Sequence, residues 1–491
     1  MKRDMLMSTV HKELYFNGRW NAPKSSRYQD IHSPGDGSLL GTVAMAGVDD
    51  VDDIVESANA GFEVWKKVAP AERAKVLKEA ASRLRQHVKE LAMLDAADCG
   101  NPVKEMEGDI FAAAAIFDFF AGLVTEMKGA SIPMGTHAVN FSVREPLGVV
   151  ARIVAFNHPL LFAAGKMAAP LAAGNAVIIK SPEQAPLSAL KLAEIIGDLF
   201  PAGVISIVSG GADVGAALIK HKKVAMVALV GGVETGKAVM RQAAEELKPV
   251  LLELGGKNAL LAFADVDPKK AAKAIVDGMN FTWCGQSCGS TSRAFVHADI
   301  YDAVLEEIQQ LCQKFQPGIP IDYGTTMGAI ISQRQHEKIL SYIASAKAEG
   351  ARLLYGGKVP DAPELQNGFF IEPTVFCDVT TDMRIAKDEI FGPVLSVIRW
   401  SDEDAVIRDI NSTDFGLTSA IWTNDLQKAH LAAQKIQAGF VWINEVGKHF
   451  LGAPFGGVKK SGIGREECLS ELLAFTSEKN IHINLQRVSQ D

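Results

Sequence analysis

Val149-Val150-Ala151-Arg152-Ile153-Val154 is a β-branched run, and it opens the stretch whose pattern decides the fold. A helical segment follows to Ala173, then Ala176-Val177-Ile178-Ile179, then a helix from Pro186 to Phe200. Val204-Ile205-Ser206-Ile207-Val208, Ala225 to Val230 and Val250 to Leu252 continue the pattern, with helical segments between them. Short apolar strands alternating with amphipathic helices predict βαβ units and a parallel sheet covered on both faces. A second alternating block runs from about Asn258 to Phe455. It predicts helices over Pro268 to Met279 and Ile300 to Phe315, and loops at Pro317-Gly318-Ile319-Pro320 and Gly356-Gly357. The fold class is α/β, with two large units.

Upstream, residues 16 to 45 read as short strands and turns around Asn17-Gly18 and Trp20. From Ala71 to Leu94, apolar residues at Val76, Leu77, Ala80, Leu84, Val88, Leu91 and Leu94 form one stripe, which predicts a single core-packing helix. No solenoid-period repeat or low-complexity segment appears.

The 491 residues suggest about three domains at roughly 150 residues each. With 48% apolar and 22% charged residues, the chain is neither a disordered tail nor a disulfide-dense mini-domain. Lys plus Arg number 50 against 58 Asp plus Glu, a formal charge of −8, so no basic footprint for nucleic acid or an anionic membrane is expected. Six Cys without framework spacing predict a reduced, cytoplasmic protein. Leu6 to Leu14 is broken by Ser8, Thr9, His11, Lys12 and Glu13, so it is not a signal-peptide core. The most apolar window, Leu160 to Ile179, holds Lys166, Pro170 and a Gly174-Asn175 turn, so no membrane span is expected.

Chemistry-bearing residues cluster at the ends of the expected strands. Ser209-Gly210-Gly211-Ala212-Asp213-Val214-Gly215 and Gly231-Gly232-Val233-Glu234-Thr235-Gly236 are Gly-rich strand-to-helix junctions. Each is either an ordinary βα turn or a phosphate-holding loop, since neither matches the dinucleotide fingerprint or a P-loop. Lys180-Ser181-Pro182-Glu183 puts a cation and a carboxylate where α/β sheets bind ligands; a solvated turn is the alternative. Leu252-Glu253-Leu254-Gly255-Gly256 sets a carboxylate in an apolar run, which raises its pKa and suits a general base; a solvated strand-end Glu is the alternative. Cys284-Gly285-Gln286-Ser287-Cys288-Gly289 offers a thiol among small residues, either reachable by substrate or buried and inert. No second Cys/His pair completes a zinc set, so no metal is expected.

Together these stretches resemble the aldehyde dehydrogenase superfamily, from about residue 15 to 485. Phe156-Asn157-His158-Pro159-Leu160 is similar to its Trp-Asn-Phe-Pro-Leu segment. Leu252-Glu253-Leu254-Gly255-Gly256-Lys257 matches its glutamate motif, and Gly285-Gln286-Ser287-Cys288 its nucleophile motif. Glu389-Ile390-Phe391-Gly392-Pro393-Val394 and Pro454-Phe455-Gly456-Gly457-Val458, running on to Gly464-Arg465-Glu466, are further matches.

The resemblance implies that Cys288 attacks the aldehyde carbon and that Asn157, with the Cys288 backbone N–H, holds the oxyanion. Glu253 would activate the hydrolytic water, and Lys166 would support proton relay. NAD is the implied cofactor, with NADP as a secondary one. Lys180 and Glu183 would meet its adenosine ribose, and Gly231, Gly232 and Gly236 its pyrophosphate. Glu389 would anchor the nicotinamide ribose and Phe391 the ring. Phe156, Gly211, Gly215 and Leu254 complete the implied cofactor contacts.

The implied architecture is a Rossmann-type dinucleotide-binding domain (1–126, 149–253 and 459–477), a catalytic α/β domain (254–458) and a β-extension (127–148 and 478–491). The extension implies a homodimer or homotetramer whose substrate is a small-molecule aldehyde. A CoA-acylating relative and a non-catalytic descendant of the fold are the alternatives; Glu253 argues against the first, and Cys288, Asn157 and Glu253 together against the second.

Several positions depart from the family pattern. Gly232 stands where a Ser is usual, and His158 follows the oxyanion Asn where an aromatic is common. Gly165 replaces a Trp found in some members, and Lys448-His449 stands where an aromatic often precedes the Pro-Phe-Gly-Gly motif. Some members have a Glu shortly after the Gly-Arg-Glu end, where this chain has Leu469, a departure that bears on one proton-relay role and not on the activity. His158, Gly165, Lys448 and His449 predict a polar or larger aldehyde. If those side chains turn to solvent, Phe162, Trp283, Phe450 and Phe455 would line the tunnel instead.

Overall fold

In the computed structural model, residues 13–486 are described. The N-terminal stretch read against a signal peptide (in part), residues 1–12 of the first domain and residues 487–491 of the extension lie outside them.

The β-branched runs become the centre of an eight-stranded sheet. Its order is Gly462–Ile463, Val250–Glu253, Val224–Val230, Val149–Ile153, Ala176–Ser181, Ile205–Ser209, Leu14–Phe16, Arg19–Asn21. The five central strands are parallel, and antiparallel strands close both edges. From Val149–Ile153 the chain first winds outward through Ala176–Ser181 and Ile205–Ser209. It then returns to pair Val224–Val230 on the other side of the same strand. That reversal is a topological switch point, and the crevice beyond the strand ends there is where open α/β sheets take ligands.

Each face of this sheet carries its own core. Helices Pro70–Gln86, Val88–Cys99, Val103–Gly122 and Pro159–Ala173 pack on one face. Val48–Trp65, Ala212–Lys220 and Val233–Ala244 cover the other. The stripe read as one helix over Ala71 to Leu94 is broken at His87, whose φ of −106° and ψ of 14° are not helical. Its ring hydrogen-bonds Glu90 Oε2 at 2.9 Å, so the chain restarts as a second helix with the stripe still facing inward. Two buried carboxylates then cap other helices: Asp95 Oδ2 accepts from Leu160 N at 3.2 Å, and Asp98 Oδ2 from Leu187 N at 2.7 Å. Burial pushes the Asp95 carboxyl up to about 7.

The second block forms a seven-stranded sheet, Arg352–Tyr355, Thr374–Cys377, Val394–Trp400, Arg293–His297, Ala259–Ala262, Thr418–Trp422, Phe440–Ile443. All but the Arg352–Tyr355 edge run parallel. In a three-stranded sheet, Ala138–Pro146 pairs antiparallel with Thr476–Asn484 on one side and Ser131–Ile132 on the other. Ile132, Val139 and Ile483 are exposed on it. Among the described residues, no helix is long and apolar enough to cross a membrane.

Gly439, just before the Phe440–Ile443 strand, lies against the Pro-Phe-Gly-Gly loop. A Cβ there would sit 1.8 Å from the Gly456 carbonyl oxygen and 3.2 Å from Gly457 Cα, and backbone cannot swing aside. Gly439→Ala is therefore expected to destabilise by about 1–3 kcal/mol, read as a lowered Tm. Gly232→Ala, where a Cβ meets nothing within 4 Å, should stay within about 0.5 kcal/mol of wild type.

Candidate active site

Phe156 and Asn157 follow the Val149–Ile153 strand, and Gly231 and Gly232 follow Val224–Val230, so the two segments flank the switch point. Between them lies a cavity of about 200 Å³ lined by Phe156, Asn157, Gly231, Gly232, Glu253, Cys288, Glu389 and Phe391 among others. A larger cavity of about 450 Å³ approaches from the opposite side. It is lined by His158, Phe162, Lys166, Trp283, His449 and Phe455 and again by Glu253 and Cys288. The two cavities thus share the cysteine and the carboxyl.

Local packing fixes the Cys288 loop. Gly285 has φ +64°, and a Cβ there would lie 2.3 Å from the Gly392 carbonyl oxygen. Only glycine lets this loop close against the one carrying Glu389 and Phe391. Gln286 pins the loop, accepting from Ile331 N at 3.1 Å and donating to the Ala329 carbonyl at 3.3 Å. Asn258 Nδ2 donates to the carbonyls of Cys288 at 2.6 Å and Ser290 at 3.0 Å. Cys284 is buried with a left-handed backbone (φ +55°), its thiol pKa raised by burial.

Glu253 ends its strand buried in the sheet, and burial pushes its carboxyl up to about 8, against a hydrogen bond from Cys288. Burial first, then the Glu253 charge, push the Cys288 thiol up as well. The Asn157 carbonyl accepts from Asn101 Nδ2 at 2.7 Å, while its side-chain amide and the Cys288 backbone N–H have no protein partner among the described residues. Two donors are therefore free beside the thiol.

The sequence pattern missed the partner of Lys166. Lys166 Nζ meets Glu466 Oε2 at 2.5 Å, and Arg152 bridges Glu466 Oε1 at 2.8 Å and Glu471 Oε1 at 2.7 Å. Leu469 is not the relevant position; the carboxylate is the glutamate of Gly464-Arg465-Glu466 itself. Asp109 was missed too: its Oδ2 holds His158 Nδ1 at 2.7 Å, in the wall of the larger cavity.

Other expected residues are placed as follows. Glu389 accepts from Gly256 N at 2.9 Å, and burial raises its pKa. Phe391 is held at φ +55° by Gln335, which donates to its carbonyl at 2.8 Å, and its ring meets Phe156 edge-on at 5.8 Å. Lys180 is buried, which lowers its pKa. Glu183 faces Gly211, the residue before the Ala212–Lys220 helix. Gly232 stands at the N-terminus of Val233–Ala244 with open space beyond it. Gly215 and Gly236 lie inside helices, and Gly236 packs on Leu254; these three, like Lys180, Glu183 and Gly211, are not among the residues that line the smaller cavity.

Two expectations about the tunnel are corrected. Lys448 pairs with Glu445 at 2.7 Å and points to solvent, and Phe450 is also exposed. Gly165 opens no room, because a Cβ there would meet Ile116 Cδ1 at 3.0 Å and Ile116 itself lines the cavity.

The fold is a doubly wound α/β sheet whose switch-point cavity and a second cavity share Cys288 and Glu253. The chain belongs to the aldehyde dehydrogenase family, whose sequence profile matches residues 20–481. It is 48% identical over 483 residues to aldehyde dehydrogenase tropH of Talaromyces stipitatus, covering 97% of this chain and 94% of that protein. The betaine aldehyde dehydrogenase of Staphylococcus aureus in complex with NAD+ superposes with a TM-score of 0.96 at 33% identity, over 100% of this chain and 99% of that one. The NAD+ complex of an aldehyde dehydrogenase from Bacillus cereus gives 0.95 at 35% identity, over 98% of each chain. Family and fold make this protein an oxidoreductase that acts on an aldehyde.

The raised Glu253 carboxyl has a consequence for stability. Between about 4.5 and 8 the folded chain keeps a proton that the unfolded chain has lost, so stability falls as pH rises through that window. The slope is at most about 1.4 kcal/mol per pH unit. Glu253→Gln removes this cost, so its Tm advantage over wild type should grow from pH 5 to pH 8. Melting curves at several pH values check this, and a gap independent of pH would contradict it.

Proposed function

We propose that the protein oxidises an aldehyde to a carboxylic acid with NAD, through a thiohemiacetal and then a thioester on Cys288. The observation that carries this reading is the shared position of Cys288 and Glu253 at the junction of the two cavities. Aldehyde would enter by the larger one and cofactor by the smaller.

The residues of the smaller cavity suit a dinucleotide. Open space faces the N-terminus of the Val233–Ala244 helix at Gly232, where free N–H groups favour a phosphate. Glu183, beside Gly211 and Lys180, would accept ribose hydroxyls, and Glu389 with Phe391 would take the nicotinamide end. NAD bound there supplies the hydride acceptor.

Glu253 takes the proton of the Cys288 thiol, and the thiolate attacks the carbonyl carbon. The oxygen that gains charge receives hydrogen bonds from the Asn157 amide and the Cys288 N–H, donors that are free in the protein. Loss of hydride leaves the acyl group on Cys288 as a thioester. Glu253, once its first proton has passed on, removes a proton from water as it adds to the thioester and returns it to the departing thiolate, so that the acid leaves and the Cys288 thiol re-forms. A carboxyl held near 8 suits this base role near neutral pH, and its place beside Cys288 favours water over CoA as acceptor. Lys166 and Glu466 hand the proton onward.

The domain division set out above is part of this reading, with the three-stranded sheet as the oligomerisation extension of a cytoplasmic homodimer or homotetramer. Exposed Ile132, Val139 and Ile483 support the extension, and six unpaired cysteines support a reducing compartment.

Rapid mixing with NAD and an aldehyde tests the mechanism. Cys288→Ser should lose the NADH burst and turnover together, and Cys284→Ser should keep both. Glu253→Gln should keep part of the burst while steady turnover drops by roughly 10²–10⁴. An inactive Cys284→Ser beside an active Cys288→Ser would overturn the assignment.

Cofactor choice follows from Glu183, whose charge would repel a 2′-phosphate. kcat/KM is expected to be higher with NAD than with NADP, and Glu183→Ser should narrow the gap.

A further inference from the structure

The wall of the larger cavity carries chemistry that the oxidation does not use. His158 occupies it between two aromatic rings, edge-on to Trp283 at 4.9 Å and to Phe162 at 5.6 Å. Its Nδ1 donates to Asp109 Oδ2 at 2.7 Å, in a contact where both side chains are about 9% exposed. Its Nε2 has no protein partner among the described residues, although the residue lines the cavity. Burial alone would drive the proton off this ring, but the Asp109 charge and hydrogen bond, with Asp95 and Glu105 nearby, raise its pKa instead. With Nδ1–H committed to Asp109, the ring nitrogen left to the cavity is Nε2, which meets a hydroxyl as acceptor when bare and as donor when protonated.

The other charges in the cavity are already matched. Lys166 is paired with Glu466 at 2.5 Å and His449 with Glu467 at 3.0 Å. Lys166 is taken up by Glu466, so no surplus lysine or arginine waits for a substrate carboxylate. What remains open is one imidazole nitrogen in a wall of flat rings, Phe162, Trp283, Trp442 and Phe455. That combination suits an uncharged aromatic ring bearing an oxygen.

We propose that His158, oriented by Asp109, selects the substrate, and that the preferred substrates are aromatic aldehydes carrying a ring hydroxyl that hydrogen-bonds His158 Nε2. The inference rests on the reading of this site as that of an aldehyde dehydrogenase and names its substrate class. His158 touches the substrate, and Asp109 is a positioning residue acting through it.

The test compares kcat/KM for benzaldehyde, its 2-, 3- and 4-hydroxy derivatives and 4-carboxybenzaldehyde, with NAD. At least one hydroxybenzaldehyde should exceed benzaldehyde by about tenfold or more, mostly through KM, with the carboxylate the poorest. In His158→Phe, the ratio of hydroxylated to parent substrate should fall to near one. Asp109→Asn keeps an acceptor for Nδ1–H and should retain part of the preference, while Asp109→Ala should lose it. Should either His158→Phe or Asp109→Ala fold poorly, the Cys288→Ser protein gives the same answer by binding. Titrated with each aldehyde and followed by the near-UV band of the aldehyde, it should show the same order of Kd. Oxidation of benzaldehyde without any preference for a hydroxyl, or an equal loss on both substrates in His158→Phe, overturns this inference alone. Absence of NADH with every aldehyde overturns the reading beneath it, and this inference with it.

Discussion

Arg152, Lys166, Glu466 and Glu471 meet in a space almost without solvent, and the placement of the catalytic groups depends on their meeting. Arg152 lies mid-sheet on the strand that leads to Asn157, and Lys166 on the helix that follows it. Glu466 and Glu471 come from the C-terminal return some 300 residues later. Two cations face two carboxyls, each at hydrogen-bond distance from a partner, so none is left isolated in the interior. Removing one partner from such a set typically costs about 3–5 kcal/mol, because the survivor stays in low dielectric unpaired. The network therefore holds the return in one position. In that position Gly462–Ile463 adds antiparallel to Val250–Glu253, with Gly462 opposite Glu253. The Arg152 guanidinium also sits over the Phe475 ring at 4.8 Å, which anchors the chain just before it leaves for the extension.

The same network sets the electrostatics of the base. Glu466 stays ionised because Lys166 and Arg152 outweigh the burial that opposes it. That fixed negative charge, added to burial, helps to keep the nearby Glu253 protonated to about 8. Glu471 is pushed up to about 7 by burial and by the Glu466 charge. A carboxyl balanced near neutrality is a usable base but a poor contributor to stability, and local backbone strain follows the same pattern. Cys284 and Phe391, on the two loops that close around Cys288, both hold left-handed backbone without being glycine. Strain of about 1–3 kcal/mol per such residue persists only where neighbours over-determine it, here Gln286, Asn258 and Gln335.

The sheet and the thiol were legible in the sequence because each depends on a local pattern. Parallel strands buried on both faces must read as apolar runs, and Val149–Ile153, Ala176–Ser181 and Val224–Val230 do. Cys288 and Glu253 lie in motifs only a few residues long. The supporting contacts were not legible, because each joins residues far apart in the chain. Asp109 and His158 are 49 residues apart, and Lys166 and Glu466 are 300 apart. Nothing in the one segment marks the other. Glu466 is visible in the sequence only as the end of a family motif, with nothing that marks Lys166 as its partner. The break at His87 escaped for the opposite reason: the apolar stripe runs through it unchanged, and only the backbone angles and the Glu90 contact reveal the restart.

The wall of the larger cavity shows how a residue can matter through what it leaves out. Gly165 does not line the cavity; it leaves space on the Pro159–Ala173 helix that Ile116 fills from the neighbouring Val103–Gly122 helix. That helix also carries Asp109, two turns earlier and on the same cavity wall. The close approach permitted by Gly165 and the 2.7 Å contact of Asp109 with His158 therefore fix one helix pair at two points. A larger side chain at 165 would have to displace the Ile116 side chain, which fills that space now. The small residue lets the two helices pack closely there, and on the same pair of helices a carboxylate reaches the imidazole that faces the larger cavity.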